Sequence, residues 1–121
     1  MPKLDNKPDA KVAHYEKLVA THPKAVLKGA TIPYTSLNGN MYSYFSKDGF
    51  MALRLPEDAR NVFIKKYKTT LVTAYGIVQK EYVVVPDILL MRTNELKQYF
   101  YCSYEYVSIL KSKPTTKKRK N

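Results

Sequence analysis

Apolar residues change their spacing several times along the chain, and each change marks an element. Val12, Tyr15, Leu18 and Val19 recur at intervals of three, three and one, which gathers them on one face of a helix starting at Ala10. Asp9 is placed to cap that helix, and Pro23 to end it near Thr21. Residues 24–55 are rich in β-branched and aromatic side chains, in the runs AVLKGATIPYTSL, NMYSYF and FMALRL, separated by Asn38-Gly39 and Asp48-Gly49. Asn, Asp and Gly tolerate the positive φ angles of tight turns, so the two dipeptides predict the corners of a three-stranded antiparallel meander. In its third strand Met51, Leu53 and Leu55 alternate with Phe50, Ala52 and Arg54, giving one strongly apolar face and one mixed face.

Pro56 opens a second helix, PEDARNVFIKKY. Glu57 and Asp58 stand at the positive end of its dipole and Lys65, Lys66 and Lys68 at the negative end, with Val62, Phe63 and Tyr67 as the expected inner stripe. A weak strand or loop over 69–75 follows, then a firm strand over 78–85 that Pro86 ends. Leu89, Leu90 and Met91 predict a buried connection or a single helical turn. The last helix starts at Thr93 as N-cap and runs to about Leu110, with Leu96, Phe100, Ser103, Val107 and Leu110 on one face, Tyr99, Tyr101, Tyr104 and Tyr106 around it, and Pro114 beyond. The predicted order is α-β-β-β-α-β-β-α, a small α+β domain with an antiparallel or mixed sheet packed by helices. It occupies residues 10–112, between a flexible lead-in at 1–9 and a basic disordered tail at 113–121.

Length and composition agree with this picture. A chain of 121 residues with 45% hydrophobic content buries enough surface for one self-sufficient core. The longest apolar runs, such as residues 82–85, are far short of the ~20 residues of a membrane helix. The start, MPKLDNKPDAK, has charges and prolines where a signal peptide has its apolar stretch, so a cytoplasmic protein without membrane contact is expected. A single cysteine, Cys102, excludes an internal disulfide, and its place in an amphipathic helix reads as packing.

Net charge is +11, and the last eleven residues, KSKPTTKKRKN, carry six of the positive charges. Lys111, Lys113, Lys117, Lys118, Arg119 and Lys120 can neutralise phosphates and release counterions, giving weak, salt-sensitive, sequence-blind nucleic-acid binding; the alternative is a solvated tail.

Candidate chemistry is sparse. His14 and His22 are eight residues apart, outside the spacing of helical metal pairs, and His22 before Pro23 reads as a cap on the helix C-terminus. Glu81 opens an otherwise apolar strand, where a cross-strand ion pair is the expected role and a buried acid or base the alternative. No glycine begins a phosphate-cradling pattern. Eleven tyrosines and no tryptophan leave Tyr42, Tyr44 and Phe50, with Arg54, as the candidate interaction residues, placed either to meet a protein partner or to stack nucleic-acid bases. No catalytic, metal or cofactor site is expected.

The motifs GNMYSYF, the turn KDG, MALRLPEDAR, the strand KEYVVVPDILL and the closing LKQYFYCSYEYVSILKSKP together resemble the N-terminal domain of the TfoX/Sxy family, over about residues 10–114. That resemblance implies a helix, three strands, a helix, two strands and a helix. It also implies a regulatory setting, since named members are bacterial proteins linked to positive regulation of natural competence at transcription. Longer members carry a second, helix-hairpin-helix domain that has no counterpart among these motifs, and the Met-Phe-Gly common near the family's first strand is replaced by Tyr34-Thr35-Ser36. The resemblance transfers no catalytic residue. Three functions follow in order: a non-enzymatic regulatory domain acting through contacts with a protein partner or with itself as a homodimer; a nucleic-acid binder; and an enzyme or small-ligand binder with a pocket near Glu81 or Arg54.

Overall fold

The computed structural model describes residues 8–29 and 32–110. Its elements are α1 (Pro8–Ala20), β1 (Tyr34–Leu37), β2 (Asn40–Phe45), β3 (Met51–Arg54), α2 (Glu57–Tyr67), β4 (Leu71–Ala74), β5 (Ile77–Val85), α3 (Asp87–Leu90) and α4 (Thr93–Ser108). The five strands form one antiparallel sheet in the order β1-β2-β3-β5-β4. This is the expected α+β order with one addition: the Leu89–Leu90 turn is a short helix, and both leucines are buried.

All four helices share one core against one face of the sheet. Tyr15, Leu18 and Val19 of α1, Phe63 of α2, Leu89 and Leu90 of α3, and Leu96, Phe100 and Val107 of α4 close over Met51, Leu53, Leu55, Val83 and Val85. The alternation read from β3 therefore holds, with Met51, Leu53 and Leu55 inward. The stripe of α4 holds as well, Ser103 included, whose hydroxyl donates to the Tyr42 carbonyl at 3.2 Å.

Local details differ from the sequence reading. Helix α1 begins at Pro8, with proline in the first turn where a missing N–H costs nothing, so Asp9 is the second helical residue rather than the one before the helix. In α2, Val62 is exposed, and Ala59, Phe63, Ile64 and Tyr67 face inward. At 100° per residue a stripe centred on Phe63 and Tyr67 leaves Val62 one step off the face. Thr93 is the first residue of α4 rather than its cap. Arg92 takes the cap position, and the Thr93 hydroxyl is buried without a hydrogen-bond partner.

Strand β2 contains the irregularity that matters most. Thr35 lies opposite Ser43 and Ser36 opposite Met41, so Tyr42 is an extra residue in β2. Such a bulge breaks strict alternation. Tyr42 and Ser43 both point to the helices, and Tyr44, displaced by one step, points away. Behind the bulge lies a buried hydroxyl chain: Tyr15 Oη to Ser43 Oγ at 2.7 Å, and Ser43 Oγ to Thr35 Oγ1 at 2.6 Å. Burial pushes the Tyr15 phenol well above its ordinary pKa, so the chain stays neutral.

Ser43→Ala leaves the Tyr15 and Thr35 hydroxyls buried with one partner fewer each and is expected to destabilise by about 1–3 kcal/mol. Denaturant titration checks this: the midpoint falls while the slope stays as in the parent, because the fold and its buried area are unchanged.

Candidate interaction surface

With the helices on one side, Met41, Tyr44, Ala52, Tyr82 and Val84 lie on the other side of the sheet, Ala52 fully buried and the other four half-buried. Tyr44 and Tyr82 pack with ring centroids 5.6 Å apart, and the Tyr44 hydroxyl donates to Gln79 Oε1 at 2.9 Å. Burial raises both phenols, Tyr82 to about 12, so both rings are neutral hydrogen-bonding groups. Pairing between β2 and β3 stops at Ser43 opposite Leu53, which leaves the Met41 carbonyl without a strand neighbour on that side. Tyr82 Oη donates to it at 2.7 Å and Arg54 Nη1 at 3.3 Å.

Arg54 is committed inside the molecule. Its Nε meets Glu81 Oε1 at 2.7 Å, the other carboxylate oxygen accepts from Tyr106 Oη at 2.9 Å, and the Arg54 side chain is 16% exposed. Burial alone would raise the Glu81 carboxyl, but hydrogen bonds from Arg54 and Tyr106 and the nearby guanidinium charges hold it below its ordinary value. The cross-strand ion pair read from the sequence is therefore present, and it ties β3, β5 and α4 together. An open cleft of about 410 Å³ borders this group, lined by Met41, Arg54, Lys80, Glu81 and Tyr82.

A second groove, about 380 Å³, crosses the uncovered face between Ile32, Tyr44, Phe50, Val72, Tyr75 and Gln79. Tyr44 and Phe50, two of the candidate interaction residues, both line this groove and are half-buried on its wall. Tyr42 does not join them. It is fully buried on the opposite face, packed on Phe100 and Tyr104 at 5.6 Å each, because the bulge reverses the alternation that would have aligned it with Tyr44. The tail cations Lys111, Lys113, Lys117, Lys118, Arg119 and Lys120 lie outside the described residues.

The β4–β5 hairpin supplies surface that the sequence reading missed. Strand β5 pairs with β4 through Ile77, Val78 and Gln79 and, beyond a register shift, at Val83, while its other edge pairs with β3 through Tyr82 to Val85. At and beside the hairpin tip Tyr75, Ile77 and Val78 are 93%, 67% and 48% exposed. The available signal was Tyr75-Gly76 between two β-rich runs. Without Asn or Asp ahead of the glycine, it read as a break in a strand.

The other reactive residue types are held in the packing. His22 does not cap α1: its ring lies 4.2 Å from Tyr104 and 4.6 Å from Tyr101, and its Nδ1 accepts the Lys24 N–H at 3.1 Å. The Thr21 side chain bonds the Leu18 carbonyl instead, and Tyr101 Oη donates to the Thr21 carbonyl. Cys102 is half-buried against the core, and burial pushes its thiol up, away from the thiolate. No group of three or more His, Cys, Asp or Glu side chains converges among the described residues, and no described helix is long and apolar enough to cross a membrane.

His22 gives a test by pH. Burial lowers its pKa and the Lys24 charge adds to this, against the opposing pull of Glu105. The unfolded chain therefore takes up a proton near pH 6.5 that the folded chain resists, so stability is full above that value and declines as pH falls below it. Denaturant midpoints measured between about pH 7 and 5 are expected to fall in the parent and to flatten in His22→Gln.

Comparison of the chain with protein-family models, with curated proteins and with solved structures gives no match.

Proposed function

We propose that this chain is a non-enzymatic regulatory domain that works through contacts with a protein partner or with itself, as its resemblance to the TfoX/Sxy N-terminal domains implies. One observation carries the reading: the helices cover one sheet face, while the other face holds a groove walled by the half-buried Tyr44 and Phe50, and the β4–β5 hairpin exposes Tyr75, Ile77 and Val78. Aromatic residues around a shallow groove suit protein recognition, where Tyr and Phe are enriched. The polar groups beside them favour the same reading, since Arg54, Glu81, Tyr82 and Tyr106 are engaged with one another or with backbone. A photo-crosslinking residue at Phe50 is expected to capture a discrete protein product in cells, and the same residue at the exposed Val26, away from this groove, is not. Equal labelling at the two positions, or none at Phe50, counts against the reading.

A second reading rests on the charge, +11 overall with six cations in 111–121. Those six could contact nucleic acid, with Tyr44 and Phe50 as stacking surfaces. Replacing them by Gln is expected to weaken binding to a DNA or RNA oligonucleotide and to flatten the salt slope by at most about five, at ~0.9 per phosphate. Anisotropy titrations at several salt concentrations measure both. An intact chain that binds neither at low salt removes this reading.

A further inference from the structure

The chain contains two tight turns of the same backbone form and different sequence. Asn38-Gly39 has φ of 55° and 81°, and Tyr75-Gly76 has φ of 54° and 75°. Asn accepts the left-handed region because its short side chain bonds locally, whereas a bulky ring there is strained. Among the described residues Tyr75 has little to hold it: it is 93% exposed at the rim of the groove, with no described ring stacked on it. A bulky residue that strains its turn while staying almost wholly in solvent points to a contact outside the chain.

The strand beside it is unguarded. β4 ends the sheet, with no strand of the described residues along its outer edge, whereas the opposite edge at β1 is capped by Lys28, paired with Tyr34 through hydrogen bonds of 2.8 and 2.9 Å. Edge strands are ordinarily protected by Lys, Pro or a covering loop, because their free N–H and C=O groups recruit other strands. Residues 69–79, TTLVTAYGIVQ, contain no charge in a chain whose net charge is +11.

We propose that the β4 edge and the Tyr75 tip form a two-fold interface with a second copy of this chain. This rests on the protein-contact reading and names its partner. Charge selects the occupant. Two copies at +11 repel over most of their Lys-bearing surface, so self-association requires an uncharged patch, and 69–79 supplies one on both sides of the contact. The cation that shares the groove with Tyr75, Lys47, is accompanied there by Asp48, so an acidic partner would find no net positive charge to recognise. Antiparallel pairing of a strand with itself is self-complementary, as a two-fold interface demands. Centred between Val72 and Thr73, it sets Leu71 opposite Ala74 of the second copy and Tyr75 beside Thr70 of the second copy. The two sheets become continuous, and Tyr75 is brought against the second copy.

Sedimentation velocity on the full chain over a dilution series, with Tyr75→Asn and Thr73→Lys, tests this. The parent is expected to be a dimer, and each variant to dissociate at concentrations at least about tenfold higher. Thermal melting separates interface from scaffold. At dilutions where all are monomeric, Tyr75→Asn is expected to melt at the same or a higher temperature, because Asn relieves the turn. A lower melting temperature with unchanged dimerisation makes Tyr75 structural and overturns the proposal. A monomeric parent overturns it too, as does a dimer insensitive to both variants. If that monomer still yields a crosslinked foreign protein at Phe50, the protein-contact reading stands without the dimer.

Discussion

The bulge at Tyr42 is the constraint on which both faces of this molecule depend. By inserting one residue opposite the Thr35–Ser36 step, it turns Tyr42 and Ser43 toward the helices together. Tyr42 then wedges between Phe100 and Tyr104, its carbonyl takes the Ser103 hydroxyl, and Ser43 joins Tyr15 and Thr35 in a buried chain. These contacts fix α1 and α4 on the sheet. The same extra residue sends Tyr44 to the uncovered face, where its hydroxyl reaches Gln79 and its ring leans on Tyr82. A β2 without the bulge would place Tyr42 and Tyr44 on one side and leave either the core or the groove without its ring.

Hydroxyl and carboxylate pairs hold the remaining seams. Tyr67 Oη donates to Glu95 at 2.6 Å, joining α2 to α4 beside the Phe63–Tyr99 ring contact. Arg54, Glu81 and Tyr106 join β3, β5 and the last turns of α4. Many tyrosines of this chain thus act as joints, each with a ring in the apolar layer and a hydroxyl on a polar partner at its margin. That use of tyrosine accounts for a large share of the aromatic content without a ligand. Tyr75, which has no such joint, stands apart for the same reason.

Much of the fold was legible in the sequence because its elements obey simple periods. The α4 stripe from Leu96 to Val107 and the alternation of Met51, Leu53 and Leu55 were read correctly, since burial on one face leaves a mark at every third, fourth or second position. The Arg54–Glu81 pair was foreseen in kind for Glu81, because a carboxylate entering an apolar strand needs a cation. The cap of α4, the inner stripe of α2 and the role of His22 were misread. Each turns on a shift of one residue or on which rings surround a side chain, and neither is encoded locally.

The sequence by itself determined the α+β class, the order of its elements, most of the core and the concentration of positive charge at one end, because propensity, periodicity and charge are properties of neighbouring residues. Tertiary structure decided which rings are surface and which are core. Tyr42 and Tyr44 are two residues apart in the same strand and lie on opposite faces, and Tyr75, one tyrosine among eleven, is the one left almost wholly in solvent. Those outcomes depend on strand register, and register is set by long-range pairing between β1, β2, β4 and β5.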